Sequence, residues 1–109
     1  MNAVVDPRPT LDALAAEYSQ RAEAIRRELT DPHSASFPEQ AVQRQNDDVL
    51  RALLAEAEDG LRQVAHARER LAAGRYGTCA ACGAAIAPAR LQAVPTAELC
   101  LDCAGHVGD

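Results

Sequence analysis

Four cysteines, Cys79, Cys82, Cys100 and Cys103, are the residues whose type and spacing speak most directly of chemistry. They form two C-x2-C pairs with seventeen residues between them, and they are all the cysteines of the 109-residue chain. Two such pairs can bring four thiolates to one point, which is the ligand set of a closed tetrahedral zinc site. Gly83, directly after the first pair, lets the backbone turn and aim its N–H groups at the sulfurs, and Gly105 is expected to do the same after the second. Two disulfides and a redox-active C-x-x-C are the competing readings. The chain start offers no apolar signal region to accompany the first, and no βαβ pattern surrounds the second, so one structural Zn2+ is expected. Four sulfur ligands leave no position open for water, so the metal is structural and the site is not a hydrolase's; with no paired carboxylate near 31–41 either, no enzyme is expected.

The elements that must position these cysteines are helical. Hydrophobic residues make up 48% of the chain but aromatics only 3%, with no Trp, and much of the apolar share is alanine. That composition favours helices over a β-core. A formal net charge of −5, made more negative by zinc-bound thiolates, repels phosphate backbones, so sequence-specific DNA binding is not expected. All eleven basic residues are Arg, which together with the alanine content fits a GC-rich genome. No apolar run is long enough to span a membrane, and a cytoplasmic protein is expected.

Residues 1–9, with Pro7 and Pro9, read as an extended arm ending where Thr10 can cap a helix. The first helix then runs to about Thr30, with Leu11, Leu14, Tyr18, Ala22, Ile25 and Leu29 on one stripe. Asp31-Pro-His-Ser-Ala-Ser36 breaks the pattern and makes a hairpin tip, near 31–41. Ser36-Phe-Pro-Glu39 is an S-x-x-E capping box that starts a second helix, running to about Ala73. Its stripe is Leu50, Leu54, Ala57, Leu61, Val64 and Leu71, with Arg68 completing the rhythm, Val49 and Leu53 widening it, and Gly60 as a local weakness. Gly74 and Gly77 end it. The helices are about 30 Å and about 54 Å long, so they pair over only part of the second, whose last turns are expected to pack on the arm and the zinc module. Ile86, Leu91, Val94, Leu99 and Leu101 are the expected core of that module, with Pro88 and Pro95 fixing the connection between its halves. The architecture is therefore mainly α: an antiparallel two-helix coiled-coil hairpin over residues 10–74 joined to a small four-cysteine zinc-finger module over 75–109.

His33 reads as a solvated turn residue and His66 as a solvated helix residue, while His106 competes for a metal position that four cysteines already fill. Arg75 and Arg90 flank the cysteines and are expected to offset thiolate charge, with contact to a partner surface as the alternative.

Gly74-Arg-Tyr-Gly-Thr-Cys-Ala-Ala-Cys-Gly-Ala-Ala-Ile86, followed by Ala89-Arg-Leu-Gln-Ala-Val-Pro-Thr-Ala-Glu-Leu-Cys-Leu-Asp-Cys103, closely resembles the zinc-finger region of the DksA/TraR family. The resemblance covers about Leu71 to Cys103 in its residues and the hairpin in its architecture. It implies a regulator that binds RNA polymerase, enters the secondary channel with its coiled coil and brings the tip near the active site to modulate initiation; a monomer is expected. The family's tip motif, Asp-x-x-Asp-x-Ala, falls on Ser36-Phe-Pro-Glu39-Gln-Ala41. Ser36, Glu39 and Ala41 are thus the implied polymerase contacts, with Glu39 replacing the second aspartate and Ser36 departing from the first. The alarmone ppGpp is implied as an effector, but the positions that are basic in the best-known member are Gln63 and Ala104 here. Only six residues follow Cys103, too few for a full C-terminal helix. An interaction adaptor that keeps the fold without channel activity, supported by the altered tip, and a zinc-thiolate redox sensor are the alternatives.

Overall fold

The computed structural model describes residues 6–30 and 37–107, with side chains for 6–30 and 40–105. Four helices follow in order: α1 (Arg8–Thr30), α2 (Phe37–Ala72), α3 (Pro88–Ala93) and α4 (Leu101–Val107). The fold is mainly helical, with long-range pairing of α1 and α2 and a cysteine cluster towards the C-terminus. The chain divides into two compact units, one built from Ala15–Arg62 and the other from Met1–Leu14 with Gln63–Asp109. No helix among the described residues is long and apolar enough to cross a membrane.

Helix α1 begins at Arg8, two residues before the expected Thr10. The reason is local. The Asp6 carboxylate accepts the Arg8 N–H at 3.1 Å, Pro7 O accepts the Leu11 N–H at 2.9 Å, and Pro9 falls in the first turn, where a missing N–H costs nothing. The Arg8 guanidinium folds back on Asp6 and holds that carboxyl below its ordinary range through side-chain and backbone hydrogen bonds.

In the unit Ala15–Arg62, Ala22 and Ile25 are buried from α1 and Ala57 from α2, as their three-four spacing predicts. Gly60 is also buried, and its role differs from the expected weakness. A Cβ built on it would lie 2.7 to 2.8 Å from the Tyr18 ring carbons, so the bare backbone is the seat of that ring. The Arg21 guanidinium stacks over the same ring at 5.6 Å from its centroid. Arg26 reaches Glu58 at 2.8 Å across the two helices. Val49 and Leu53, expected to widen the α2 stripe, are exposed, together with Val42.

In the other unit, Leu11 from α1 and Val64 and Ala67 from α2 are fully or almost fully buried. The stripe passes through Ala67 and Arg70, not Arg68. At about 100° per residue both Ala67 and Arg68 fall near the Val64 line, on opposite sides of it; the buried side is that of Ala67 and Arg70, and Arg68 on the other side pairs with Asp12 at 2.6 Å. The last turns of α2 thus meet the start of α1 through that pair and the cysteine module through Arg70. Helix α2 stops where the Arg75 N–H bonds to Arg70 O at 2.7 Å, with Gly74 and Gly77 at positive φ. Ile86 and Ala97 are the buried apolar residues of the module, along with Cys79, while Val94 and Leu101 of the expected core are exposed. Leu101 turns outward because it opens α4, and α4 and α3 are both short helices that no periodic pattern announces. Pro88 is the first residue of α3, where its fixed φ is already helical.

Candidate metal centre

The first cysteine pair sits on a tight hairpin. Thr78 bridges Ala85 in antiparallel fashion, Cys79 N–H bonds to Ala84 O at 2.8 Å and Ile86 N–H to Gly77 O at 2.8 Å. Gly83, at φ 78°, turns the chain between them and returns its N–H to Cys79 O at 2.9 Å. The second pair lies on a helix start: Cys100 O accepts the Ala104 N–H at 2.9 Å, which makes Cys100 the cap of α4 and puts Cys103 in its first turn. Gly105 therefore lies inside a helix and has no positive φ; the expected second glycine turn is replaced by the helix N-terminus itself.

These two supports bring the four sulfurs within 4.8 Å of one another. Cys82 and Cys100 Sγ stand 3.9 Å apart, against the roughly 3.8 Å edge of a tetrahedron with 2.3 Å metal–sulfur bonds and the roughly 2.05 Å of a disulfide. The donor set and its spacing fit a four-coordinate ion with no open position. Among the described residues this is the cluster that could hold a metal.

The electrostatics of the cluster point the same way. Backbone N–H groups of Cys100 and Cys82, with Ala81 behind them, aim at the Cys79 sulfur and pull its thiol down to about 6. Sharing hydrogen with Cys100, Cys79 and Cys82 pushes the Cys103 thiol up to about 12. One position is thus prepared as a thiolate, and the crowd of sulfurs resists further ionisation until a cation arrives.

The segment leading into Cys100 is held by an unusual set of donors. Residues 95–99 belong to no regular element, yet all five of their carbonyls are bonded. Tyr76 Oη donates to Pro95 O at 2.7 Å, Arg70 Nη2 to Thr96 O at 3.4 Å and to Ala97 O at 3.1 Å. Ala80 N–H donates to Glu98 O at 2.8 Å, and Arg90 Nε to Leu99 O at 2.8 Å. Burial lifts the Tyr76 phenol above its ordinary value, so it remains a donor. Arg90 is a backbone clamp one residue from a ligand, a role its place beside the cysteines does not announce. Arg70 and Tyr76 have no sequence signal as clamps beyond a place near the α2 stripe and near the first cysteine.

The residues expected at the tip stand differently. Ser36 and the side chain of Glu39 lie outside the described residues, as do His33 and the side chain of His106. Glu39 falls in the first turn of α2, and Ala41 is exposed in the next. Gln63 is exposed and accepts from Thr96 Oγ1 at 3.3 Å; Ala104 is half-buried in α4.

The prokaryotic DksA/TraR C4-type zinc finger matches residues 74–106, the stretch that carries all four cysteines. In fold the chain is similar to transcription factor DksA2 from Pseudomonas aeruginosa, with a TM-score of 0.82 and 28% identity over 94% of this chain and 80% of that one. It also matches the DnaK suppressor protein from Agrobacterium tumefaciens C58, at 30% identity over 87% of this chain and 91% of that one, with a TM-score of 0.46. No curated protein matches the chain in sequence.

Proposed function

Since the chain belongs to the DksA/TraR zinc-finger family, whose members are regulators and not enzymes, we propose that it regulates transcription by binding RNA polymerase. The observation that carries this reading is the fold likeness to a transcription factor over nearly the whole chain, helices included, together with a cysteine cluster inside the matched finger. In the proposal α1 and α2 form an antiparallel coiled-coil hairpin that enters the secondary channel, with Ser36, Glu39 and Ala41 approaching the active site to modulate initiation. Contacts between the two helices run in opposite order along the chain, Asp12 with Arg68, Tyr18 with Gly60 and Arg26 with Glu58, as such a hairpin requires.

One Zn2+ bound by Cys79, Cys82, Cys100 and Cys103 is structural. It supplies a cross-link that strengthens a module in which Ile86, Ala97 and Cys79 are the buried apolar residues among those described. Glu39, on an N-terminal turn, places a negative charge where the helix dipole favours it and where a confined catalytic site would feel it. The action is cytoplasmic and needs no membrane or direct DNA contact. A ppGpp requirement is not part of the proposal, because Gln63 and Ala104 carry no charge to meet a polyphosphate.

Transcription in vitro with the cognate polymerase, with and without saturating protein, tests the reading. The protein is expected to change initiation and to displace a transcript-cleavage factor that uses the same channel. Binding to polymerase without that displacement removes the channel reading and favours an adaptor, which the serine at position 36 would suit.

A further inference from the structure

The carbonyls of residues 95–99 and the buried Arg70 carry an inference about metal retention that goes beyond the regulatory reading and rests only on its metal site. We propose that Arg70 is a positioning residue of the metal centre, holding Cys100 within ligating reach by clamping Thr96, Ala97 and Glu98 to the end of α2.

Arg70 is nine residues before the first ligand and touches none of the four sulfurs, yet it is the one buried charged side chain among the described residues, 9% exposed. One nitrogen, Nη2, donates to two consecutive carbonyls, Thr96 O and Ala97 O, while Nη1 lies 3.4 Å from the Glu98 carboxylate. Nε and Nη1 are buried and form no hydrogen bond, so the side chain is poorly satisfied for a group of its cost. The carbonyls it holds lie four and three residues before Cys100 and the carboxylate it pairs with two residues before, so the cross-link acts on the segment that carries this ligand.

The rest of the cluster reinforces the assignment. Glu98, paired to Arg70 by its side chain, gives its carbonyl to Ala80 N–H, the residue after Cys79. His66 stands 3.9 Å from the same carboxylate, 59% exposed, and adds no comparable restraint. One guanidinium thus connects the end of α2 to the segment that runs between the two cysteine pairs. Lysine has one nitrogen where Arg70 sets Nη2 on the carbonyls and Nη1 on the carboxylate, so it keeps only part of the set. Ligand supports of this kind change metal affinity by about 10- to 100-fold when removed.

The test compares the full-length wild type with Arg70→Met, which keeps the stem volume, and Arg70→Lys, which keeps the charge. Zinc transfer to a chromophoric chelator gives the release rate, and cobalt-substituted protein gives the thiolate charge-transfer and ligand-field bands of a tetrahedral four-sulfur site. Faster zinc release by at least about tenfold in Arg70→Met, an intermediate rate in Arg70→Lys and weakened or shifted cobalt bands are expected, with helical circular dichroism unchanged at saturating zinc. Wild-type release rates in both variants would overturn the proposal, as would helix loss in Arg70→Met that saturating zinc does not restore while Arg70→Lys releases zinc like wild type. A wild type that takes up no zinc would instead overturn the metal reading on which the proposal stands.

Discussion

The ring of Tyr18 on α1 rests directly on the backbone of Gly60 on α2, leaving 2.7 to 2.8 Å where a Cβ would stand. An interior glycine normally costs a helix about 1 kcal/mol relative to alanine, and here that cost secures a close approach between two helices. The usual stabilising substitution should therefore reverse its sign. Gly60→Ala is expected to destabilise the protein by about 1 kcal/mol through overpacking, and to stabilise it by a similar amount once Tyr18→Ala has emptied the seat. Denaturant unfolding of the two single variants and the double variant measures the coupling; additivity would show that the ring moves aside without cost.

Metal removal should be local. The Arg90 side chain is engaged with Leu99 O, and the segment it closes is ordered around the cysteines. Chelation, or Cys82→Ser, is expected to open residues 74–107 to trypsin, with cleavage after Arg90 at least about tenfold faster than in the zinc-loaded protein. Peptide mass mapping over time reads this, and equal cleavage rates would show that the segment holds without metal.

Proton release on zinc binding should fall as pH rises through about 6, because Cys79, drawn down to about 6 by the N–H groups of Cys100 and Cys82, gives up most of a proton at pH 5 and almost none at pH 8. Cys103, pushed up to about 12, releases its proton at both. The sign for the metal-free fold follows from the depressed value. With an ordinary value of 9.0 in the unfolded chain, the Cys79 contribution is complete above about 9 and lost as pH falls through about 6. Calorimetric titration in buffers of different ionisation enthalpy counts the protons.

Glu39→Ala should separate the tip from the metal. Zinc content and polymerase binding are expected to stay at wild-type levels while the effect on initiation falls at least about tenfold, as loss of one charge in a confined site would give. The capping box expected from the sequence Ser36-Phe-Pro-Glu39 should lose about 1 kcal/mol with its carboxylate, read as a small drop in thermal midpoint. An unchanged transcriptional effect would assign Glu39 to the cap alone.

Exposed ion pairs give the contrasting case. Asp12 and Arg68 meet at 2.6 Å but are 70% and 48% exposed, so solvent screens them. Asp12→Asn is expected to cost no more than about 0.5 kcal/mol in chemical unfolding.

What can be read from residues alone divides along physical lines. The cysteine spacing is a ligand requirement, and the sulfurs converge as that spacing demands. The apolar stripes on α1 and α2 are a burial requirement, and Leu11, Ala22, Ile25, Ala57 and Val64 meet it. Arg70 is hidden because polarity does not separate it from Arg68 two positions earlier; the one reaches buried carbonyls and the other an exposed carboxylate. Gly60 reads as a weakness because propensity sees the glycine and not the ring opposite. Helix α4 is silent because seven residues with a glycine among them carry no periodic signal, and its start is set by Cys100 as a cap.

The donors that hold carbonyls 95–99 come from residues 70, 76, 80 and 90, all earlier in the chain than the groups they receive. A chain made from its N-terminus therefore presents every hook before the segment that hangs on it. The Cys79–Cys82 hairpin, closed by short-range bonds of its own, can take the ion first, and Cys100 and Cys103 arrive as a latch on a half that is already built.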